Sequence, residues 1–116
     1  MTRPFYVTGS LEIYKNGECF LDSRRIALLK LVKETGSINS ASKQLKMSYQ
    51  QAWHYIKSMN ELSPLPVIVK QRGGSNGGGT IVTRYGEHVI SEFEALAVKH
   101  AIFKNELEES LWLCKF

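Results

Sequence analysis

The sequence predicts a mainly α chain with small β-hairpins, on three observations. Two short helices are set about a tight turn between Gly36 and Ile56, a glycine-rich loop lies between two short apolar runs, and a long periodic stretch begins at Arg84. The 116 residues fit one domain, and a chain of this size buries somewhat more than about 60% of its unfolded surface, so it needs no disulfide or metal to fold. Cys19 and Cys114 agree with this, being far apart and without Cys or His at metal-ligand spacing.

In chain order, Leu11 to Tyr14 and Glu18 to Leu21 flank Lys15-Asn16-Gly17, whose Asn-Gly predicts a β-hairpin. Asp22 or Ser23 is then placed to cap a helix with an apolar face of Ile26, Leu29 and Val32, beside Leu28 and Leu31. Thr35-Gly36 ends it, and it is expected to support the next two helices from behind. Ser37 caps the first of these, where Ile38, Ala41 and Leu45 mark one face. Lys46, Met47 and Ser48 make the turn. Ser48 and Gln51 form a Ser-x-x-Gln capping box for the second helix, with Ala52, Ile56 and Met59 inward. Small Ala41 and Ala52 suit a close, steep crossing, and Met47 is placed to plug the corner.

Ser63-Pro-Leu-Pro66 ends that helix. Val67 to Gln71 and Thr80 to Thr83 read as strands around Arg72 to Gly79, RGGSNGGG, a β-hairpin wing. The resulting fold is a winged helix-turn-helix in residues 1–84, with the helix-turn-helix at about 37–61 and the wing at about 67–83. Residues 85–116 continue the same domain as a long dimerisation helix capped by Thr83. Along it, Val89, Phe93, Leu96, His100, Phe103 and Leu107 alternate four and three residues apart, a heptad seam that a second copy would bury; folding back over its own domain would bury it too. Trp112 and Phe116 are placed to cap that interface.

DNA is the polyanion this arrangement suits. On the second helix of the motif, Gln50, His54 and Lys57 lie opposite Ala52, flanked by Gln51, Trp53 and Ser58. Amides pair with adenine edges, while Lys57 and the N–H groups near Ser48 suit phosphate. Ser37 joins the DNA-facing set, as do Tyr49 and Trp53, which can also pack against the first helix or lie along the backbone. In the wing, Lys70, Arg72 and Arg84 bracket the loop with positive charge, and Gly73, Gly74, Gly77 and Gly78 let backbone approach a phosphate closely. Residues 1–84 hold 12 Lys plus Arg against 5 Asp plus Glu, whereas residues 85–116 hold 3 against 6, so the positive charge sits with the motif. A solvated helix face or a plain hairpin tip explains each feature taken alone, but not their juxtaposition.

The runs SYQQAWHYIKSMNELS and VKQRGGSNGGGTIVTRYGEHVI closely resemble the N-terminal DNA-binding domain of the molybdate-dependent regulator family, ModE, itself similar to the LysR-type winged helix-turn-helix. The resemblance covers about Leu11 to Ala101. Its most specific pieces are Ser48-Tyr49 with Ala52-Trp53, Met59-Asn60, the Gly-Gly-x-x-Gly-Gly-Gly wing and Thr83-Arg84-Tyr85-Gly86. It implies a homodimeric repressor or activator on a palindromic operator, read by the helix that begins at Ser48. Full-length members carry C-terminal molybdate-binding β-barrels, and with the chain ending at Phe116 a stand-alone short form is expected, its effector or sensor chain unassigned.

Other classes fit less well. A winged-helix interaction module would bind operator and random DNA alike. Catalysis would need His54 or His100 beside Tyr49 or Glu61, but the carboxylates concentrate in the last helix and no Ser/His/Asp or metal-ligand spacing occurs, so neither enzyme nor cofactor is expected. The start, MTRPFYVTGS, lacks a signal-peptide apolar run and no stretch approaches the roughly 20 apolar residues of a membrane span, which implies a cytoplasmic protein without a membrane partner.

Overall fold

The computed structural model describes residues 4–71 and 79–115, and the wing-tip residues Arg72, Gly73, Gly74, Gly77 and Gly78, like Phe116, lie outside them. The elements are β1 (Ile13–Lys15), β2 (Glu18–Leu21), α1 (Ser23–Thr35), α2 (Ile38–Gln44), α3 (Tyr49–Leu62), β3 (Ile68–Gln71), β4 (Gly79–Val82), α4 (Arg84–Glu109) and a closing 3-10 turn (Trp112–Lys115). The strands form two separate antiparallel hairpins, β1 with β2 and β3 with β4. This is a mainly α, winged-helix-like fold with a long C-terminal helix.

Local chemistry sets the boundaries. Asn16 and Gly17 take φ of 53° and 81°, the left-handed pair that a two-residue hairpin turn requires. Asp22 caps α1 by accepting from the Arg25 N–H at 2.8 Å, and Gly36, at φ 70°, closes it by donating to the Val32 carbonyl at 2.7 Å. Strand β3 starts one residue later than the apolar run suggests, because Asn60 holds its entrance. The Asn60 Oδ1 accepts from Val67 and Ile68 N–H at 2.8 and 3.3 Å, and its Nδ2 donates to the Ile68 carbonyl. Thr83 leaves β4 for a similar reason, its hydroxyl accepting from the Gly86 N–H at 2.9 Å as the cap of α4 and donating to the Pro66 carbonyl at 2.7 Å.

Helix α1 is the centre of the core and packs against α2, α3, α4 and β4. Leu28, Leu29, Val32, Ala41, Ala52, Met59 and Val67 are wholly buried, and Met47 plugs the α2–α3 corner. Burying each leucine, valine or methionine of this set stabilises by about 1.5–3 kcal/mol relative to exposure. At the expected turn residue Lys46 the φ is 55°, a left-handed conformation that is unfavourable with a Cβ and that the sequence did not signal. The first turn of α4 presses on the end of the wing so closely that a Cβ on Gly86 would collide with the Val67 carbonyl oxygen and approach Val82 to 2.8 Å.

The seam on α4 divides. Val89 and Phe93, at 6% and 3% exposure, are buried in the chain's own core, so they are not available to a partner as the dimer-interface residues the heptad spacing suggested. Beyond them α4 leaves the domain, and the molecule measures 63 × 29 × 21 Å with a radius of gyration of 17.6 Å, against about 13 Å for a compact chain of this length. On this projecting half Leu96, Phe103 and Leu107 are exposed. Val98 and Ile102, at 61% and 54% exposure, form a second apolar strip about 120° to 160° round the helix from Leu96. The N-terminal segment runs back along a third side. There the Val7 N–H donates to Glu108 at 3.0 Å, Lys104 donates to the Gly9 carbonyl at 3.2 Å, and His100 lies beside Gly9, half-buried.

Candidate nucleic-acid interface

Ser48 begins the site. Its hydroxyl accepts from the Gln51 N–H at 3.0 Å, which leaves the Tyr49 and Gln50 N–H groups at the open end of α3 without helical partners. The reciprocal half of the expected capping box is not formed, because Gln51 directs its amide to the Tyr55 hydroxyl at 3.2 Å instead. Gln50, Gln51, His54 and Lys57 are exposed along one side of α3. Tyr49 and Trp53 are partly exposed, at 49% and 38%, rather than buried against α2, and the Lys57 ammonium stands 6.0 Å from the Trp53 ring centroid. The face ends in a carboxylate, since Glu61 shares a cleft with His54, Lys57 and Ser58.

Two clefts join this helix to the wing. One, of about 320 Å³, lies between the start of α2 and the wing strands and is lined by Ser37, Asn39, Tyr49, Lys70, Gln71 and Thr80 among others. It brings Ser37, Tyr49 and Lys70 together from three elements. It also adds Asn39 and Gln71, which periodicity did not single out because exposed polar residues carry no period of their own. The second cleft, of about 260 Å³, sits between α3 and the wing, with Trp53, Ile56 and Ile68 as apolar walls and Lys57 and Lys70 at its edge. The wing is tied down by the Thr80 N–H, which donates to the Gly36 carbonyl at 3.0 Å. Ser37's own hydroxyl accepts from the Ser40 N–H at 3.1 Å, so its first role is the cap.

Arg84 sits elsewhere. It opens α4 at the end of β4 remote from the loop, so a strand of four residues, about 13 Å, separates it from the loop it was expected to bracket. Lys70 is the described wing cation near the loop. No membrane-crossing helix occurs among the described residues.

Glu12, Cys19 and Asp22 lie within 4.8 Å of one another, but Asp22 is engaged on both oxygens, by the Arg25 N–H and by the Arg25 guanidinium at 2.6 Å. Burial pushes the Cys19 thiol above its ordinary pKa, with Arg25 acting against the shift, which is the reverse of nucleophile activation.

No family model matches the chain. It is similar to the transcriptional regulator ModE of Haemophilus influenzae, at 43% identity over 77 residues, 66% of this chain and 30% of the relative. It is similar also to ModE of Yersinia pestis, at 42% over 93 residues, 79% of this chain and 35% of the relative. The dual regulator ModE of Escherichia coli matches at 42% over 78 residues, 67% of this chain and 30% of the relative. The chain therefore spans about a third of the length of these curated relatives. Over the matched residues it is a homologue of the ModE transcriptional regulators, consistent with an N-terminal ModE-like DNA-binding domain.

Proposed function

We propose that this chain is a sequence-specific DNA-binding transcriptional regulator that acts in the cytoplasm as a homodimer on a palindromic operator. The observation that carries the reading is the continuity of the α3 face with the wing. Gln50, Gln51, His54 and Lys57 stand exposed on α3, and clefts lead from that helix to Ser37 and Lys70. Helix α3 supplies base contacts in the major groove. The wing, with Lys70 and Arg72, supplies phosphate or minor-groove contacts.

The second copy docks on the outer half of α4. Leu96, Phe103 and Leu107 form the strip proposed for it, and their exposure in a single chain supports that role. Two recognition helices related by a two-fold axis read half-sites one helical turn apart, about 34–36 Å.

Binding-site selection from random duplex with the purified chain tests the proposal. Enrichment of one inverted-repeat sequence is the expected result. Equal retention of all sequences would replace it with a winged-helix protein-interaction module.

A further inference from the structure

Among the described residues, Gln51 is the side chain of the α3 face that the fold holds in place from behind. Its Nε2 donates to the Tyr55 hydroxyl at 3.2 Å, one helical turn on. The Tyr55 ring carries the Arg25 guanidinium 4.3 Å from its centroid. Arg25 in turn donates from Nη1 to Asp22 at 2.6 Å, and Asp22 caps α1 through the Arg25 backbone N–H. A chain of contacts thus runs from the cap of the supporting helix to the DNA-facing end of α3. The Arg25 Nε is buried without a hydrogen-bond partner, so the guanidinium is held by one carboxylate and one aromatic face.

We infer that Tyr55 and Arg25 are positioning residues that orient the Gln51 amide for base recognition, making Gln51 a reader of adenine rather than a capping residue. The inference rests on the DNA-binding reading above. A primary amide has two N–H groups and a carbonyl oxygen. When Tyr55 accepts one N–H, the other N–H and Oε1 remain as an adjacent donor and acceptor, the pair that matches N7 and N6 of adenine in the major groove. A long, exposed Gln otherwise loses rotamer freedom on binding, and a hydrogen bond that fixes it beforehand lowers that cost. Lys57 over Trp53 shows no comparable support, the distance being 6.0 Å and both groups facing solvent.

Tyr55→Phe isolates the claim, since it keeps the ring under Arg25 and removes only the hydroxyl. Affinities for the selected site and all its single-base variants are measured for wild type, Tyr55→Phe, Gln51→Ala and the double variant. Gln51→Ala should erase a preference of about 5- to 150-fold for adenine at one position of each half-site. Tyr55→Phe should weaken the same preference by about two- to tenfold, and add nothing in the Gln51→Ala background. The inference is overturned if Tyr55→Phe keeps the wild-type profile, if it alters positions that Gln51→Ala does not, or if Gln51→Ala changes no position. In the last case base reading by Gln50 and His54 still stands. A wild-type chain that selects no sequence overturns the DNA-binding reading and this inference together.

Discussion

Helix α3 and the outer half of α4 are both open to solvent along one side, but they present different chemistry. Helix α3 shows amides, an imidazole, a lysine and the edges of Tyr49 and Trp53. The outer half of α4 shows bare aliphatic and aromatic carbon at Leu96, Val98, Ile102 and Phe103. A polar, cationic face is stable in water and gains by replacing counterions around a polyanion. An exposed apolar strip gains only when another apolar surface covers it. The two regions should therefore fail separately when mutated, one losing sequence preference and the other losing assembly.

The largest expected effect is on assembly. Leu96→Glu with Phe103→Glu should convert a dimer at micromolar concentration into a monomer by sedimentation, and lower affinity for the inverted-repeat site by ~100-fold or more, since the two half-sites then bind independently. The same change at Val98 and Ile102 should leave the dimer in place. The opposite pattern would move the interface to the second strip, and a wild-type monomer would remove it.

The wing sharpens the distinction within DNA binding itself. Lys70→Ala should weaken selected and scrambled duplexes alike and make the slope of log affinity against log salt shallower by about one unit, the signature of one lost phosphate contact. Arg72→Ala should do the same. A loss confined to the selected sequence would make these residues base readers instead.

How much of this was legible in the sequence follows from the range of the interactions. Asp22, Ser37, Ser48 and Thr83 each cap a helix through an N–H three residues on, so the cap and its partner lie within one short window. The core faces of α1 and α3 were legible because burial imprints a period. The same period over α4 could not say what buries it. Val89 and Phe93 meet their own domain while Leu96 and Phe103, on the same seam, meet solvent. Contacts between distant residues left no local mark at all: the Val7 N–H to Glu108 and Arg25 over Tyr55 pair groups 101 and 30 positions apart. Gln51 was assigned to the cap because its spacing from Ser48 is right, yet the neighbouring Tyr55 hydroxyl competes for the amide and wins.

The smallest expected effect concerns the turn between α2 and α3. Lys46 occupies the left-handed region at φ 55°, where glycine meets no Cβ penalty. Lys46→Gly should raise stability by ~0.5–1 kcal/mol in denaturant unfolding while leaving the dimer assembled. Destabilisation would mean that the lysine side chain contributes more than the backbone conformation costs.

The division between the two regions depends most on α3 reading bases. Its direct measurement is the affinity of wild type, Gln50→Ala and His54→Ala for every single-base variant of the selected site. Loss of preference at particular positions, at about 1–3 kcal/mol for each base contact removed, is the predicted result. Profiles identical to wild type in both variants would contradict it and assign sequence recognition to another part of the chain.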